Sequence, residues 1–194
     1  NEINNLGSAA YTTNHAANIV IQGLENTTVI SEAAAAAYIG EAKFLRALSY
    51  FSLITVFAQP YTLDHGASPG LPLRLQAETS TANNALARST VAEVYAQIIQ
   101  DLTDAESALP YNYTTALLNT TLAHKNTATA LKTRVYLTTG NFPKVIEEAA
   151  KIVPQTTAPF SAQRGVSHAL QSDIQVLFSS NYTTTESILS MPMT

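Results

Sequence analysis

The sequence contains no cysteine. Disulfides, thiolate metal sites and a cysteine nucleophile are therefore excluded. Charge is also scarce, because Asp, Glu, Lys and Arg make up 12% of the chain, about half of the roughly 25% typical of soluble domains. Asn, Thr, Ser and Gln supply the polarity instead. Such a neutral surface is either an ordinary soluble surface or one suited to hydroxyl-rich ligands.

A basic stripe and a long apolar run are lacking as well. The net charge is −4 and the ten Lys and Arg residues are scattered, which argues against nucleic-acid binding. The longest weakly polar stretch, Ala47 to Pro60, has 14 residues, whereas a membrane-spanning helix needs about 20. It therefore predicts a core helix. No signal peptide opens the chain, and we expect its start at Asn1 to lie within a longer protein.

Apolar residues at three- and four-residue spacing predict five or six helices. No long alternating stretch is present, and Ser187 to Met191 is too short to decide between strand and loop. The predicted fold class is therefore all-α, with helical hairpins and long irregular loops in one domain over residues 1–194. The predicted helices are Ser8–Leu24, Glu32–Ala58, Ser89 or Thr90 to Leu109, Ala123–Thr139, Pro143–Val153 and Ser167–Phe178.

Local signals place several helix ends. Ser31 is an N-cap candidate, and Thr90 with Glu93 matches a capping box. Between these helices, residues 59–89 hold three prolines and two glycines without sustained periodicity. Loops of this length inside compact domains are usually functional or binding segments. We expect this one to pack over the helical bundle.

The helix over Glu32–Ala58 has two adjacent apolar stripes, so we expect neighbours to cover both faces. Phe44 and Leu45 are predicted core residues. Arg46 beside them needs a partner, which can be a carboxylate or helix-end carbonyls. Glu41 is the nearest carboxylate, but its five-residue offset is unfavourable within a helix.

The hairpin near residue 140 has the turn pattern of a tetratricopeptide-type repeat. Tyr136, Gly140, Phe142 and Val145 occur at the spacing of that turn. Gly140 supplies the positive φ that ends the helix, and Phe142 is predicted to pack back into the groove.

The stretch from Gly40 to Phe51 resembles the most recognisable segment of the SusD/RagB family. Further matches follow in the family's order, so that the resemblance spans roughly residues 11–190. One departure is that Phe57-Ala58-Gln59-Pro60 lacks the glycine common before the loop proline. The other matching segments are Ala17–Ile21, Gly70–Leu73, Ala87–Thr90, Val94–Tyr95, Ile98–Leu102, Ala108–Pro110, Lys125, Arg134–Leu137, Gly140–Phe142, Leu177–Phe178 and Glu186–Ile188.

This resemblance implies a SusD-like helical domain that is part of a longer protein, without its N-terminal lipoprotein segment and the C-terminal part of the family. It also implies a surface-exposed outer-membrane lipoprotein of a Bacteroidota bacterium. Such proteins capture oligosaccharides, or peptides in some members, for a SusC-like TonB-dependent transporter. They are anchored by a lipid, and in members that bind sugar the ligand contacts come largely from irregular regions before and after the helices.

No catalytic residue, metal site or cofactor is predicted, and the ligand-binding residues stay unassigned. Histidines 15, 65, 124 and 168 occur singly, although convergence through the fold is left open. The cluster of Glu41, Lys43, Phe44 and Arg46 is interpreted as structural. Loop residues Tyr61, Asp64, His65, Tyr111 and Tyr113 are weaker candidates for a stacking surface. The carboxylates predicted to lie on solvated helix surfaces are Glu93, Asp101, Asp104, Glu106, Glu147 and Glu148.

Three functional hypotheses remain. The first is noncatalytic capture of glycans, as the resemblance implies. The second is a helical-repeat adaptor that binds a peptide or protein partner, which shares the architecture but not the ordered family matches. The third is an all-α carbohydrate-active enzyme, which would need two carboxylates at a scissile bond.

Overall fold

The computed structural model describes residues 2–80, 85–179 and 182–191, the side chains of residues 2 and 3 excepted. Within these ranges the chain forms helices and two isolated β-bridges but no strand, which confirms the all-α prediction. No described helix is both long and apolar enough to cross a membrane. The helices are α1 (Glu2–Leu24), α2 (Glu32–Phe57), α3 (Tyr61–Asp64), α4 (Val91–Ala108), α5 (Ala116–Thr121), α6 (Lys125–Thr138), α7 (Phe142–Ile152) and α8 (Ile174–Ser179).

The predicted caps are present. The Ser31 hydroxyl accepts a hydrogen bond from the backbone N–H of Ala34 at the start of α2. At the start of α4, the Thr90 hydroxyl and the Glu93 carboxylate bond each other's backbone N–H, which completes the capping box. Gly140 has φ 75° and ends the α6–α7 turn. These ends depend on contacts within a few residues, which is why the sequence locates them.

Several segments differ from the prediction by more than one or two residues. Helix α1 begins at Glu2 instead of Ser8, and the linker before α6 contains the short helix α5. Of the predicted helix Ser167–Phe178, the helical part begins at Ile174. Ser187 to Met191, which the prediction left undecided, has no strand partner among the described residues. The local sequence signals for helix ends are weak in these segments, so contacts with other parts of the same chain decide their conformation.

Helix α2 lies at the centre, between α1 and α4, while α6 packs against α4 and pairs with α7 in the last hairpin. The core forms mainly between α2 and α4, where Phe44, Tyr50 and Ile98 are almost completely buried. Leu45 was predicted to lie in the core, but 36% of it is exposed. Its face of α2 borders a groove between α2 and α1, so α1 does not cover this side chain completely.

Phe142 was also predicted to pack back into the bundle, yet it is 61% exposed. Helix α7 packs mainly against α6, and this packing leaves Phe142 and Ile146 exposed. The opposite face holds Glu148, which was predicted to be on the surface but is 4% exposed. Its carboxylate pairs with Lys132 and Lys151, at 3.0 and 2.8 Å. Lysines from two helices allow this carboxylate to be buried.

Gly40 lets α2 approach the end of α4. A Cβ atom at this position would lie 2.9 Å from the Cβ of Ala108, closer than packed side chains come. A Cβ on Gly23 in α1 would instead meet nothing within 4 Å. Packing therefore requires a glycine at position 40 but not at position 23, which makes Gly23 a suitable control for substitution of Gly40.

We expect Gly40→Ala to lower the free energy of unfolding by about 1–3 kcal/mol, because the overpacked helices must separate. Gly23→Ala should leave it unchanged or raise it by up to about 1 kcal/mol through helix propensity. Urea denaturation followed by circular dichroism measures both. Equal effects of the two substitutions would contradict a packing role for Gly40.

The segment 182–191 is held against the helices by a few specific contacts. The backbone N–H of Ser190 donates to the Thr120 carbonyl at 2.8 Å, and Ala169 exchanges two hydrogen bonds with Thr185. Below it, His124 and His168 stack with ring centroids 5.4 Å apart. Both rings are buried, at 0% and 6% exposure. The fold thus brings together two histidines that are far apart in the sequence.

Burial lowers the pKa of His124 to about 4, and the neighbouring His168 adds to this effect. Burial also lowers the pKa of His168. Neutral imidazole is therefore favoured in the folded state, and the unfolded chain binds more protons below about pH 6.5. The contribution of the two neutral histidines to the free energy of unfolding should be fully present above that pH and should be lost as the pH drops toward about 4.

Removing both titrations with His124→Phe and His168→Phe should flatten this pH dependence, of which each group contributes at most about 1.4 kcal/mol per pH unit. The measurement is the unfolding free energy at a series of pH values between about 4.5 and 7.5. His65→Asn is the control, since His65 is exposed and Asn accepts its positive φ. A slope that persists in the double variant would refute this origin.

Candidate functional site

A buried polar network joins α1, α2 and α4. Arg46 of α2 is 5% exposed and donates to both carboxylate oxygens of Asp101, at 2.8 and 2.7 Å. Its third hydrogen bond goes to the side-chain oxygen of Asn18, at 2.7 Å. Gln97 donates to the same carboxylate at 3.0 Å. With its hydrogen bonds satisfied, this bidentate pair is tolerated in the interior.

The prediction that Arg46 pairs with a carboxylate or with carbonyls is confirmed, and its partner is a carboxylate. The prediction that Asp101 lies on a solvated helix surface is wrong, because Asp101 is 1% exposed. The two residues are 55 positions apart. Only the packing of α4 on α2 makes them neighbours, so no local pattern could pair them.

The network holds the irregular segment that follows Pro72. The side-chain amide of Asn18 donates to the carbonyls of Arg74 and Gln76, at 3.0 and 3.1 Å. The Tyr50 hydroxyl donates to the Arg74 carbonyl at 3.1 Å and accepts from its N–H at 2.7 Å. Tyr11 adds a bond to the Pro72 carbonyl at 3.1 Å. Buried side chains of α1 and α2 therefore fix a backbone that has no secondary structure of its own.

The chain just before α4 holds the residues that lead into this segment. The N–H of Gly70 donates to the Ser89 carbonyl at 2.6 Å, and the N–H of Ser89 donates to the Leu71 carbonyl at 3.0 Å. A Cβ on Gly70 would lie 2.9 Å from the backbone of Thr90, so only glycine allows this approach. The predicted packing of the loop over the bundle is confirmed, because Leu71 of the loop is buried in the core.

Three adjoining cavities on this surface share Arg74, and we call them together the Arg74 cleft. The first, of about 470 Å³, runs along the segment from Leu73 to Ser80. The second, of about 520 Å³, has an apolar lining with Tyr11 and Phe57, and Arg88 lies on its wall. The third, of about 320 Å³, lies against α1 and is lined by Thr12, His15, Asn18, Gln76 and Glu78 among others.

The chemistry of the cleft is hydrogen bonding beside an apolar surface. Hydroxyl, amide, imidazole and guanidinium groups line it, and Arg74 forms an ion pair with Glu78. Burial raises the pKa of Tyr11, so its hydroxyl stays protonated at neutral pH. Burial likewise raises the pKa of Tyr50 to about 12. These groups suit a neutral or weakly charged polar ligand with many hydroxyls.

The weaker loop candidates serve other contacts. The Tyr61 ring packs edge-on against Tyr95, at 5.7 Å between centroids. Asp64 accepts bonds from Gly66, Ala67 and Ser68 within one turn, and the Ser68 hydroxyl is the main cause of its lowered pKa. The Tyr113 hydroxyl donates to the Ala123 carbonyl at 2.7 Å. Neither these residues nor His65 and Tyr111 line the Arg74 cleft.

The cleft residues Arg74, Gln76, Glu78 and Arg88 were missed by the sequence reasoning. The signal for them was the long proline-containing loop, which indicated a binding segment without saying which of its side chains share a cavity. The described residues contain no group of three or more His, Asp or Glu side chains placed to hold a metal ion.

Arg46→Met should lower the free energy of unfolding by about 3–5 kcal/mol, because it leaves the Asp101 carboxylate buried without its cation. Lys43→Met is the control, because the Lys43–Asp104 pair is 24% and 35% exposed. That substitution should cost less than about 1 kcal/mol. Chemical denaturation of both variants measures the difference, and a small effect of Arg46→Met would show that the network is not essential.

By fold and cleft, this is an all-α protein of helical hairpins that carries a polar cleft on an irregular segment. A SusD-like family model, described as starch-binding and associating with the outer membrane, matches residues 1–137. The chain belongs to the SusD-like family. A curated relative, SusD-like protein P2 of Formosa agariphila, is 31% identical over 143 residues, which are 74% of this chain and 24% of the relative.

Solved structures give the same fold. A SusD superfamily protein from Bacteroides fragilis matches 100% of this chain and 41% of its own, with a TM-score of 0.84 and 30% identity. A laminarin-binding SusD-like protein matches 95% of this chain and 36% of its own, with a TM-score of 0.75 and 24% identity. The latter shows similarity of fold alone. The chain thus spans less than half the length of each of these relatives.

Proposed function

We propose that this chain is the helical part of a longer, noncatalytic lipoprotein that captures oligosaccharides at the outer membrane. The observation that carries the proposal is the Arg74 cleft on a SusD-like scaffold. A sugar offers hydroxyls to groups such as Gln76 and Thr12, and its apolar face suits the Phe57 and Tyr11 side of the cleft. The family description, starch-binding and associating with the outer membrane, supports the same ligand class and location.

The carboxylates of the cleft support a noncatalytic role. Glycoside hydrolysis needs two carboxylates that flank the scissile bond. Among the described residues that line the three cavities, Glu78 is the single carboxylate, and it is paired with Arg74. Asp101 is buried in its own ion pair below the cleft. The side chains present can bind and orient a sugar but do not form an acid–base pair.

The cellular role follows from the family in the same proposal. The complete protein would be a surface-exposed lipoprotein of a Bacteroidota bacterium that passes its ligand to a SusC-like TonB-dependent transporter. Relatives more than twice as long as this chain support the existence of further segments that complete the site. The complete reading frame is therefore the right material for binding experiments.

Phe57→Ala in the protein expressed from the complete reading frame should weaken binding of its oligosaccharide roughly tenfold, about 1.4 kcal/mol, through loss of a stacking surface. Phe142→Ala is the matched control, because Phe142 is also exposed but lies on α7 outside the cleft. A panel of starch-, laminarin- and uronate-type oligosaccharides is titrated by calorimetry, and the products are examined by chromatography.

If the protein binds none of the glycans in the panel, the proposed capture function is wrong. If Phe57→Ala and Phe142→Ala lower the affinity equally, the Arg74 cleft is not the binding site. Cleavage of a bound oligosaccharide would overturn the noncatalytic role and favour a carbohydrate-active enzyme.

A further inference from the structure

Arg88 forms no ion pair with a described carboxylate, whereas most cations of this chain do. The protein carries ten Lys and Arg residues against fourteen Asp and Glu. Most of the cations form ion pairs in the described residues, but no described carboxylate pairs with Arg88. The paired cations are Lys43, Arg46, Arg74, Lys132, Lys144 and Lys151.

Backbone carbonyls hold the Arg88 guanidinium in place. Its Nε donates to the Gly70 carbonyl at 2.6 Å, and one terminal nitrogen donates to the Pro69 carbonyl at 2.8 Å. These bonds use two of the five N–H groups of the guanidinium. The other three have no partner among the described residues. The side chain is exposed, so a planar cation is oriented but not neutralised.

Arg88 faces the same cavity as Arg74, next to the apolar surface of Tyr11 and Phe57. Arg74 is already paired with Glu78, and no other carboxylate lines the cavity among the described residues. The cavity therefore carries a local excess of positive charge on a protein of net charge −4. Burial raises the pKa of Tyr11, which lines the same cavity, and the charges of Arg74 and Arg88 partly offset that rise.

A neutral sugar does not need a fixed cation, whereas a guanidinium fork matches the oxygens of a carboxylate or a sulfate ester. We propose that this cavity binds an acidic sugar residue, with its anionic group on Arg88 and its ring against Tyr11 and Phe57. The inference rests on the proposed glycan capture and specifies the class of glycan. The shared chemistry is the anionic group, and a uronate and a sulfated sugar are its two sources.

The test uses the protein from the complete reading frame and four sets of oligosaccharides of equal length. Two are acidic, oligogalacturonates and sulfated galactan fragments, and two are their neutral counterparts, made by carboxyl reduction and by desulfation. At least one acidic set should bind about tenfold more tightly than its neutral counterpart in calorimetric titrations. Its affinity should fall as NaCl rises from about 20 mM to about 200 mM.

Arg88→Gln should lower the affinity for the acidic set about tenfold and change the affinity for neutral sugars less than about twofold. Arg88→Lys retains the charge and should retain more of the affinity than Arg88→Gln. Arg164→Gln, an exposed arginine outside the cavity, is the control and should have no effect. Melting temperatures verify that each variant is folded, and if Arg88→Gln is not, the lysine variant and the salt dependence decide.

Neutral glycans bound as tightly as acidic ones would overturn the inference and leave the capture function intact. Acidic binding that does not respond to salt or to Arg88 substitution would overturn it in the same way. Binding of starch- or laminarin-type oligosaccharides without binding of either acidic set would also overturn the inference alone, whereas binding of no glycan at all would remove the proposed function as well. Comparison of the carboxylated and sulfated sets identifies which anionic group the cavity prefers.

Discussion

Three helices meet at the buried ion pair between Arg46 and Asp101. It joins α2 to α4 and, through Asn18, reaches α1. The amide of Asn18 then holds the backbone at Arg74 and Gln76. A buried network of this kind is costly unless every hydrogen bond is made. The family signature around Arg46 therefore has a physical meaning, because it fixes the irregular segment that forms the cleft.

The helices form a rigid frame, and the segment from Gly70 to Glu78 carries many of the side chains that line the cleft. Packing between α2 and α4 is close enough that Gly40 has no room for a side chain. Against this frame, the segment from Gly70 to Glu78 is held by hydrogen bonds from tyrosines and an asparagine and by pairing with Ser89. A loop fixed at both edges can present side chains with little entropic loss on binding. The distribution of charge fits the same division, since the buried ion pairs Arg46–Asp101 and Lys132–Glu148 lie between helices, whereas Arg88 in the cleft pairs with no described carboxylate.

How much could be predicted from the sequence differs between the helices and the site. Ser31, the Thr90–Glu93 capping box and Gly140 act within one helical turn, so composition and spacing located them. The order of the family-like segments gave the fold and the family. Leu45 and Phe142 were misplaced because apolar spacing shows which residues share a helix face but not whether a neighbour covers it. Asp101 and Glu148 were misplaced because a buried carboxylate needs cations from other helices, which periodicity does not reveal.

Periodicity and short-range signals were sufficient for the all-α class, most helix ends and the expectation that Arg46 has a partner. Helix packing was needed to show that Asp101 is that partner, that His124 stacks on His168, and that Arg74, Gln76 and Arg88 share one cleft with Tyr11 and Phe57. The difference follows from sequence distance. Caps and helix faces are set by residues a few positions apart, whereas the ion pair, the histidine stack and the cleft join residues whose proximity exists only after the helices pack.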